Sequence, residues 1–272
     1  QMLSCLMELS VLDRFCAPLG DYIHQGDGLK TGARQCIDQL LKSNLFITPL
    51  DHDHVWFRFH HLFQDYLKAL RRTQWSQSRL AARHNAAADW FAAQGLVEEA
   101  IGHFLKADNC ADAAQLIIDN RYGLMNNSEF SRLGHWLEML PETVLLDNPL
   151  LVSTKAMIGA DLGKNVDVHA FTRKANQYLE NPSVNQKTAE ILSGEVLLLQ
   201  ALVDLIQENI APGLEKSRQA FSRLPEDAQM PHSISIFIQA VFNQTKGDTP
   251  KAVALIQKHL KTFAYTQNTL AR

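Results

Sequence analysis

No apolar run in the chain approaches the roughly 18 residues that a membrane-spanning helix needs, so a soluble protein with no membrane role is expected. It has no CxxC pair. Its four cysteines, Cys5, Cys16, Cys36 and Cys110, are scattered through 272 residues, which suits buried thiols in a reducing, cytoplasmic setting better than a disulfide framework. Thirteen glycines and nine prolines are too few for a β-rich or low-complexity chain. Neither sign of charge dominates: 26 basic residues stand against 29 acids, a net of −3, which argues against the positive coat of a dedicated nucleic-acid binder. The GxxxxGK[ST], GxSxG and HExxH patterns are missing, as is any Cys-His arrangement of recognisable context. Glu98 and Glu99 fit a solvated helix start far better than acid–base work. By itself the chain is therefore expected not to be an enzyme and to need no cofactor. Gln1 to Leu9 is helical in pattern from its first residue, with neither a cap nor the basic and apolar regions of a signal peptide, which suggests a piece of something larger.

What is present is mostly helix. Hydrophobic residues make up 46% and charged residues 20%, enough for a packed core, and the length suits two units or one long array. Ala17 to Ile23 reads as a short helix with Pro18 near its start, followed by a loop with Gly26, Gly28 and Gly32. Ala33 to Ser43 spaces Cys36, Ile37, Leu40 and Leu41 as a helical stripe, with Asn44 as its stop. The period then changes. Leu45–Leu50 and Val55–His60 are short aromatic and β-branched runs around the polar tip Asp51-His52-Asp53-His54, a β-hairpin whose Pro49 belongs on an edge strand. Three helices and a hairpin in that order make a winged helix, expected over residues 1–75. Its third helix carries Arg34 and Lys42 against Asp38, too little positive charge for a DNA-reading helix.

Histidines crowd this region. His52, His54, His60 and His61 lie near Cys16 and Cys36 in sequence, but a zinc site needs convergent ligands in a recognisable spacing. Solvated tip histidines and one buried histidine are the expectation. Leu62, Phe63, Tyr66, Leu67 and Leu70 fall on one face of the next helix. From Arg58 to His84 there are six basic residues (Arg58, Lys68, Arg71, Arg72, Arg79, Arg83) and one acid, whereas Asn85 to Asp119 holds six acids and only Lys106. Pairing between neighbouring helices is the plain reading, a docking face for an anionic ligand or another domain the other.

The rest reads as a helical array, with a linking arm over 76–145 and tetratricopeptide-like repeats over 146–272. Gly95, Asn109, Asn165, Asn209 and Gly247 each precede a small or apolar residue by five positions, and such residues tolerate the left-handed turn that ends a helix. The last three lie 44 and 38 residues apart, near a helical-hairpin repeat. The expected hairpins pair Leu150–Leu162 with Val166–Leu179, Thr188–Glu208 with Pro212–Leu224, and His232–Lys246 with Thr249–Phe263. Pro182, Pro225 and Pro231 mark the breaks. One hairpin cannot bury its own apolar side, so stacking must do so, and the array is expected to continue past Arg272.

Three stretches carry a resemblance: Ser10 to Leu19, Asn44 to Asp51, and Trp56-Phe57-Arg58-Phe59-His60-His61-Leu62-Phe63. With Ala87 to Ile101 they resemble the large LuxR-family regulators related to MalT, of the STAND class of P-loop ATPases. The match covers roughly residues 10 to 110; beyond Leu150 only the repeat style agrees. The resemblance implies ATP and ADP bound by a nucleotide-binding domain upstream in cis. It also implies a small-molecule effector or regulatory protein on the repeats, and DNA contact only through a separate C-terminal helix-turn-helix. It further implies that a winged-helix histidine, His60 or His61, reaches the β-phosphate of ADP in the resting state. Trp75, Trp90 and Trp136 could stack a sugar, but their helical spacing favours core. The rival reading is a free-standing helical-repeat scaffold for protein contacts, with no nucleotide switch.

Overall fold

A computed structural model describes residues 2–24, 32–42, 46–161, 168–181 and 184–270. The chain divides into two compact units, residues 1–116 and 117–272. Among the described residues the fold is mainly helical, with one two-stranded antiparallel hairpin.

In the first unit, α1 (Met2–Leu9), α2 (Ala17–Ile23) and α3 (Ala33–Lys42) precede β1 (Ile47–Pro49) and β2 (Phe57–Phe59), and α4 (His61–Gln74), α5 (Gln77–Ala93) and α6 (Val97–Lys106) follow. The order is the winged helix read from the sequence. The strands are shorter than expected, with three pairs: Ile47 with Phe59, Thr48 with Arg58 and Pro49 with Phe57. Alternation places Phe57 and Phe59 inward and Arg58 outward. At the tip the Asp51 carboxylate accepts from the Val55 and Trp56 amides at 2.8 and 3.1 Å, an Asx turn that fixes the register. A contact the sequence hides lies on the other side of β2. Phe15 and Phe57 exchange both backbone hydrogen bonds at 2.8 Å, so β2 is flanked on both sides and Pro49 sits on the outer strand. Leu9, Leu12, Phe15, Leu19, Ile37, Phe57, Phe59, Leu67 and Phe91 close one core.

Several expectations need correction. Leu62 and Tyr66 do not face the core: they are 68% and 60% exposed, while Leu67 is fully buried. The inward stripe of α4 instead runs through Leu67 to Arg71, whose guanidinium donates to Ser10 Oγ at 3.0 Å, and Phe63 is half-buried. α5 and α6, assigned above to an arm over 76–145, fall within the first unit, because Ala87, Phe91 and Ala100 belong to its core. Gly26, Gly28, Asn44, Leu45, Asn165 and Pro182 lie outside the described residues.

α7 (Cys110–Asn126) contains the division. The second unit continues with α8 (Phe130–Met139), α9 (Glu142–Asp147), α10 (Pro149–Asp161), α11 (Val168–Leu179), α12 (Gln186–Ile206), α13 (Ile210–Arg223), α14 (Gln229–Thr245) and α15 (Thr249–Leu270). The three expected hairpins are α10–α11, α12–α13 and α14–α15. α13 and α14 start a little earlier than the prolines suggested. Pro212 and Pro231 sit within first turns, where no amide hydrogen is required, rather than before them.

The left-handed residues at helix ends are Gly95, Asp108, Ser128, Glu208 and Gly247. Asparagines 109 and 209 therefore follow the left-handed position instead of occupying it. Their amides donate back to Phe104 and Asp204 at 2.9 and 2.8 Å, closing a Schellman motif, and Asn109 is then free to cap the next helix through Asp112. Close packing also explains Gly213 within α13: a methyl group there would stand 2.3 Å from the Phe242 ring. Beside it, Ser217 and Ser235 each donate to the other's carbonyl, at 2.7 and 2.6 Å, pinning α13 to α14.

Candidate functional site

His60 and His61 start α4 directly after β2, and both side chains are exposed. Neither is the buried histidine expected here. Their rings stand 4.4 Å apart, and the His60 amide donates to the Phe46 carbonyl at 2.7 Å, which ties the histidine pair to the hairpin's first strand. Phe46 holds φ at +67°, a strained setting for an aromatic residue, with its ring stacked 4.3 Å from Phe63. Phe46, Ile47, Thr48, His60, Leu62, Phe63 and Tyr66 line an open groove of about 570 Å³. The sequence placed both histidines at the start of the helix but missed the groove, whose lining comes from the hairpin and α4 together. Chemically, two imidazole edges beside an apolar trough suit a ligand or surface with an acceptor group next to an apolar part.

The tip histidines, His52 and His54, are exposed as expected. Among the described residues no group of three or more His, Cys, Asp or Glu side chains converges on a metal position. The buried histidines lie elsewhere. His84 on α5 and His103 on α6 meet Nδ1 to Nδ1 at 2.9 Å, with Phe91 stacked 5.3 Å from His103. One ring must donate and the other accept, so the accepting nitrogen carries no proton. Burial, with His103, Lys106 and Arg71 against the opposing Asp13, lowers His84 to about 3, and burial with Lys106 against Asp13 lowers His103 to about 4. The folded unit thus resists protonation that the unfolded chain accepts near 6.5, so stability is full above that pH and falls as pH drops toward 4. The expected loss between pH 7 and pH 5 is up to roughly 2 kcal/mol for each histidine. Urea titrations of the wild type and a His84→Gln/His103→Gln variant at both pH values measure it; equal slopes with pH would discard the assignment.

The basic stretch from Arg58 to His84 does not simply pair with the acidic one after it. Arg79 and Arg83 close on Glu8 of α1 at 2.8 and 2.7 Å, and that carboxylate is fully buried. Arg14, which the charge reading passed over, pairs with Glu99 and lies 4.4 Å over the Trp56 ring, and Lys106 pairs with Asp13 at 2.8 Å. Arg34 on α3 is met by Asp38, so the third helix offers little free positive charge. Of the tryptophans, Trp136 is buried, Trp75 lies 4.4 Å under Arg79, and Trp90 packs edge-on against Trp56 and Phe91.

The second unit holds a buried ionic cluster. The Arg121 guanidinium reaches Glu195 at 2.7 Å, Tyr122 at 3.1 Å, and Thr154 and the Leu150 carbonyl at 3.0 Å. The Tyr122 hydroxyl also donates to Glu195. Burial and the adjacent carboxylate push the Tyr122 phenol above its usual range, so it remains a donor. Three helices, α7, α10 and α12, are joined this way. The signal was available: Glu195 is an isolated charge in the apolar run Leu192 to Leu199.

Residues 1–79 match the sequence profile of the MalT winged helix domain. The chain is 28% identical over 232 residues to an HTH-type transcriptional regulator MalT of Klebsiella pneumoniae (strain 342), covering 85% of this chain and 25% of that protein. It is 27% identical over 223 residues to the MalT regulator of Cronobacter sakazakii (strain ATCC BAA-894), covering 82% and 24%. The chain thus spans about a quarter of the length of the curated relatives it matches. No solved structure matches. The chain is thus similar to MalT regulators along most of its length, and its first 79 residues are similar to the MalT winged helix domain.

Proposed function

We propose that this chain, with its MalT-type winged helix, is the regulatory segment of an ATP-dependent, LuxR-family transcriptional activator of the STAND class. The observation carrying the reading is the winged-helix match over residues 1–79, joined to two exposed histidines at the start of α4. The nucleotide-binding domain lies upstream in the same polypeptide and binds ATP or ADP. DNA is contacted by a separate C-terminal domain, and the whole protein works in the cytoplasm. The 272 residues catalyse nothing themselves. In the resting protein His60 or His61 donates to the β-phosphate of ADP, and that charge-assisted bond is lost when exchange opens the domains. The tetratricopeptide-like array of the second unit holds the effector, a small molecule or a regulatory protein, and favours the open form by binding it more tightly. Its Schellman-closed helical hairpins support that part of the reading.

The test is ADP release from the intact regulator. His60→Ala or His61→Ala is expected to speed release about tenfold, the value of one charge-assisted hydrogen bond of about 1.5 kcal/mol, and to raise basal transcription. Both side chains are exposed, so neither change should alter folding. Unchanged release in both variants overturns the assignment.

A further inference from the structure

The sulfur atoms where α1 meets α3 play no part in the functions above. Cys5 on α1 and Cys36 on α3 are 1% and 0% exposed, and their thiols share a hydrogen bond. Cys36 Sγ also stands 3.6 Å from Met2 Sδ. Met2 and Cys5 are three residues apart on α1, the spacing that puts two side chains on one helical face. Two thiols and a thioether therefore converge from two helices.

Metal–thiolate bonds run about 2.3 Å, so three sulfurs around one ion stand about 4 Å apart. The 3.6 Å separation of Cys36 and Met2 needs only a small outward movement to meet that. Thiolate and thioether donors are soft and select Cu(I) over hard cations. A structural zinc ion would want four ligands, and among the described residues no group of three or more His, Cys, Asp or Glu side chains is gathered.

We infer that Met2, Cys5 and Cys36 form a three-sulfur binding site for Cu(I). Cys5 and Cys36 supply two thiolates and Met2 the thioether. The ion then replaces the proton shared by the two sulfurs. Two Cu–S bonds form, both thiol protons leave to solvent, the thioether adds its lone pair, and copper stays Cu(I) throughout. Met2 is half-buried while both cysteines are sealed, so the ion enters past Met2.

The test is an anaerobic titration of the 272-residue chain with Cu(I), supplied as its acetonitrile complex against the chromogenic chelator bathocuproine disulfonate. The wild type is expected to hold one Cu(I) per chain, with three sulfur neighbours by X-ray absorption. Cys36→Ser should lose it. Met2→Leu spares both thiols and the fold, and should weaken retention at least tenfold; it carries the test if Cys36→Ser fails to fold. No retained Cu(I) in the wild type overturns the site, as does undiminished retention in Met2→Leu.

Discussion

Replacing Glu195 with alanine is expected to lower the stability of the second unit by about 3–5 kcal/mol, the cost of stranding a buried charge. Arg121 is 1% exposed and its guanidinium has no route to water. Thr154, Tyr122 and the Leu150 carbonyl satisfy part of its donor set but none of its charge. For a unit of this size that loss is a fall in melting temperature of about 10 °C. The double replacement Arg121→Met/Glu195→Leu removes both charges and fills similar volume, so it should recover most of the loss. Urea unfolding of the wild type, both single variants and the double variant gives the coupling. Additive effects in that cycle would mean the two side chains do not act as a pair.

The Glu8→Ala variant is expected to cost the first unit about 3 kcal/mol, toward the lower end for a buried pair. Two arginines face this carboxylate, and they differ. The Arg79 side chain is 38% exposed and can turn to water; the Arg83 side chain, at 11%, cannot. The penalty should therefore fall mostly on Arg83. An Arg83→Met/Glu8→Leu variant should be far milder than Glu8→Ala, while Arg79→Met alone should cost little. Because the carboxylate is sealed, the effect should persist in high salt, where exposed pairs such as Lys106 with Asp13 fade. Thermal unfolding in low and high salt checks both statements.

Local pattern carried much of this fold. The alternation in Phe57-Arg58-Phe59 and the proline at 49 placed the hairpin, and the apolar stripe through Cys36, Ile37 and Leu40 placed α3. Long-range relations did not register. Glu8 sits in an opening helix with nothing nearby to show that arginines some seventy residues later would cover it. The charge blocks were visible, but block composition says nothing about which helix comes to lie beside which. Tyr66 misled for a different reason: it shares a helical stripe with Leu62, Phe63, Leu67 and Leu70, yet only Leu67 of the five is fully buried and Tyr66 is 60% exposed. Both histidines at the start of α4 were legible because they sit at a boundary between two periods. The sulfur cluster was not, since Met2, Cys5 and Cys36 reveal nothing until α1 and α3 are packed.

The reciprocal hydrogen bonds between Phe15 and Phe57 bear on how the first unit comes apart. A ribbon of three residue pairs does not persist unaided in water. Here its inner strand is also clasped by the segment between α1 and α2, so fraying at either place removes the partner of the other. Melting of the wing and detachment of the leading helices are then one cooperative event. The amide of Phe57 should exchange its hydrogen for deuterium at the rate of the whole unit's opening rather than that of a surface turn.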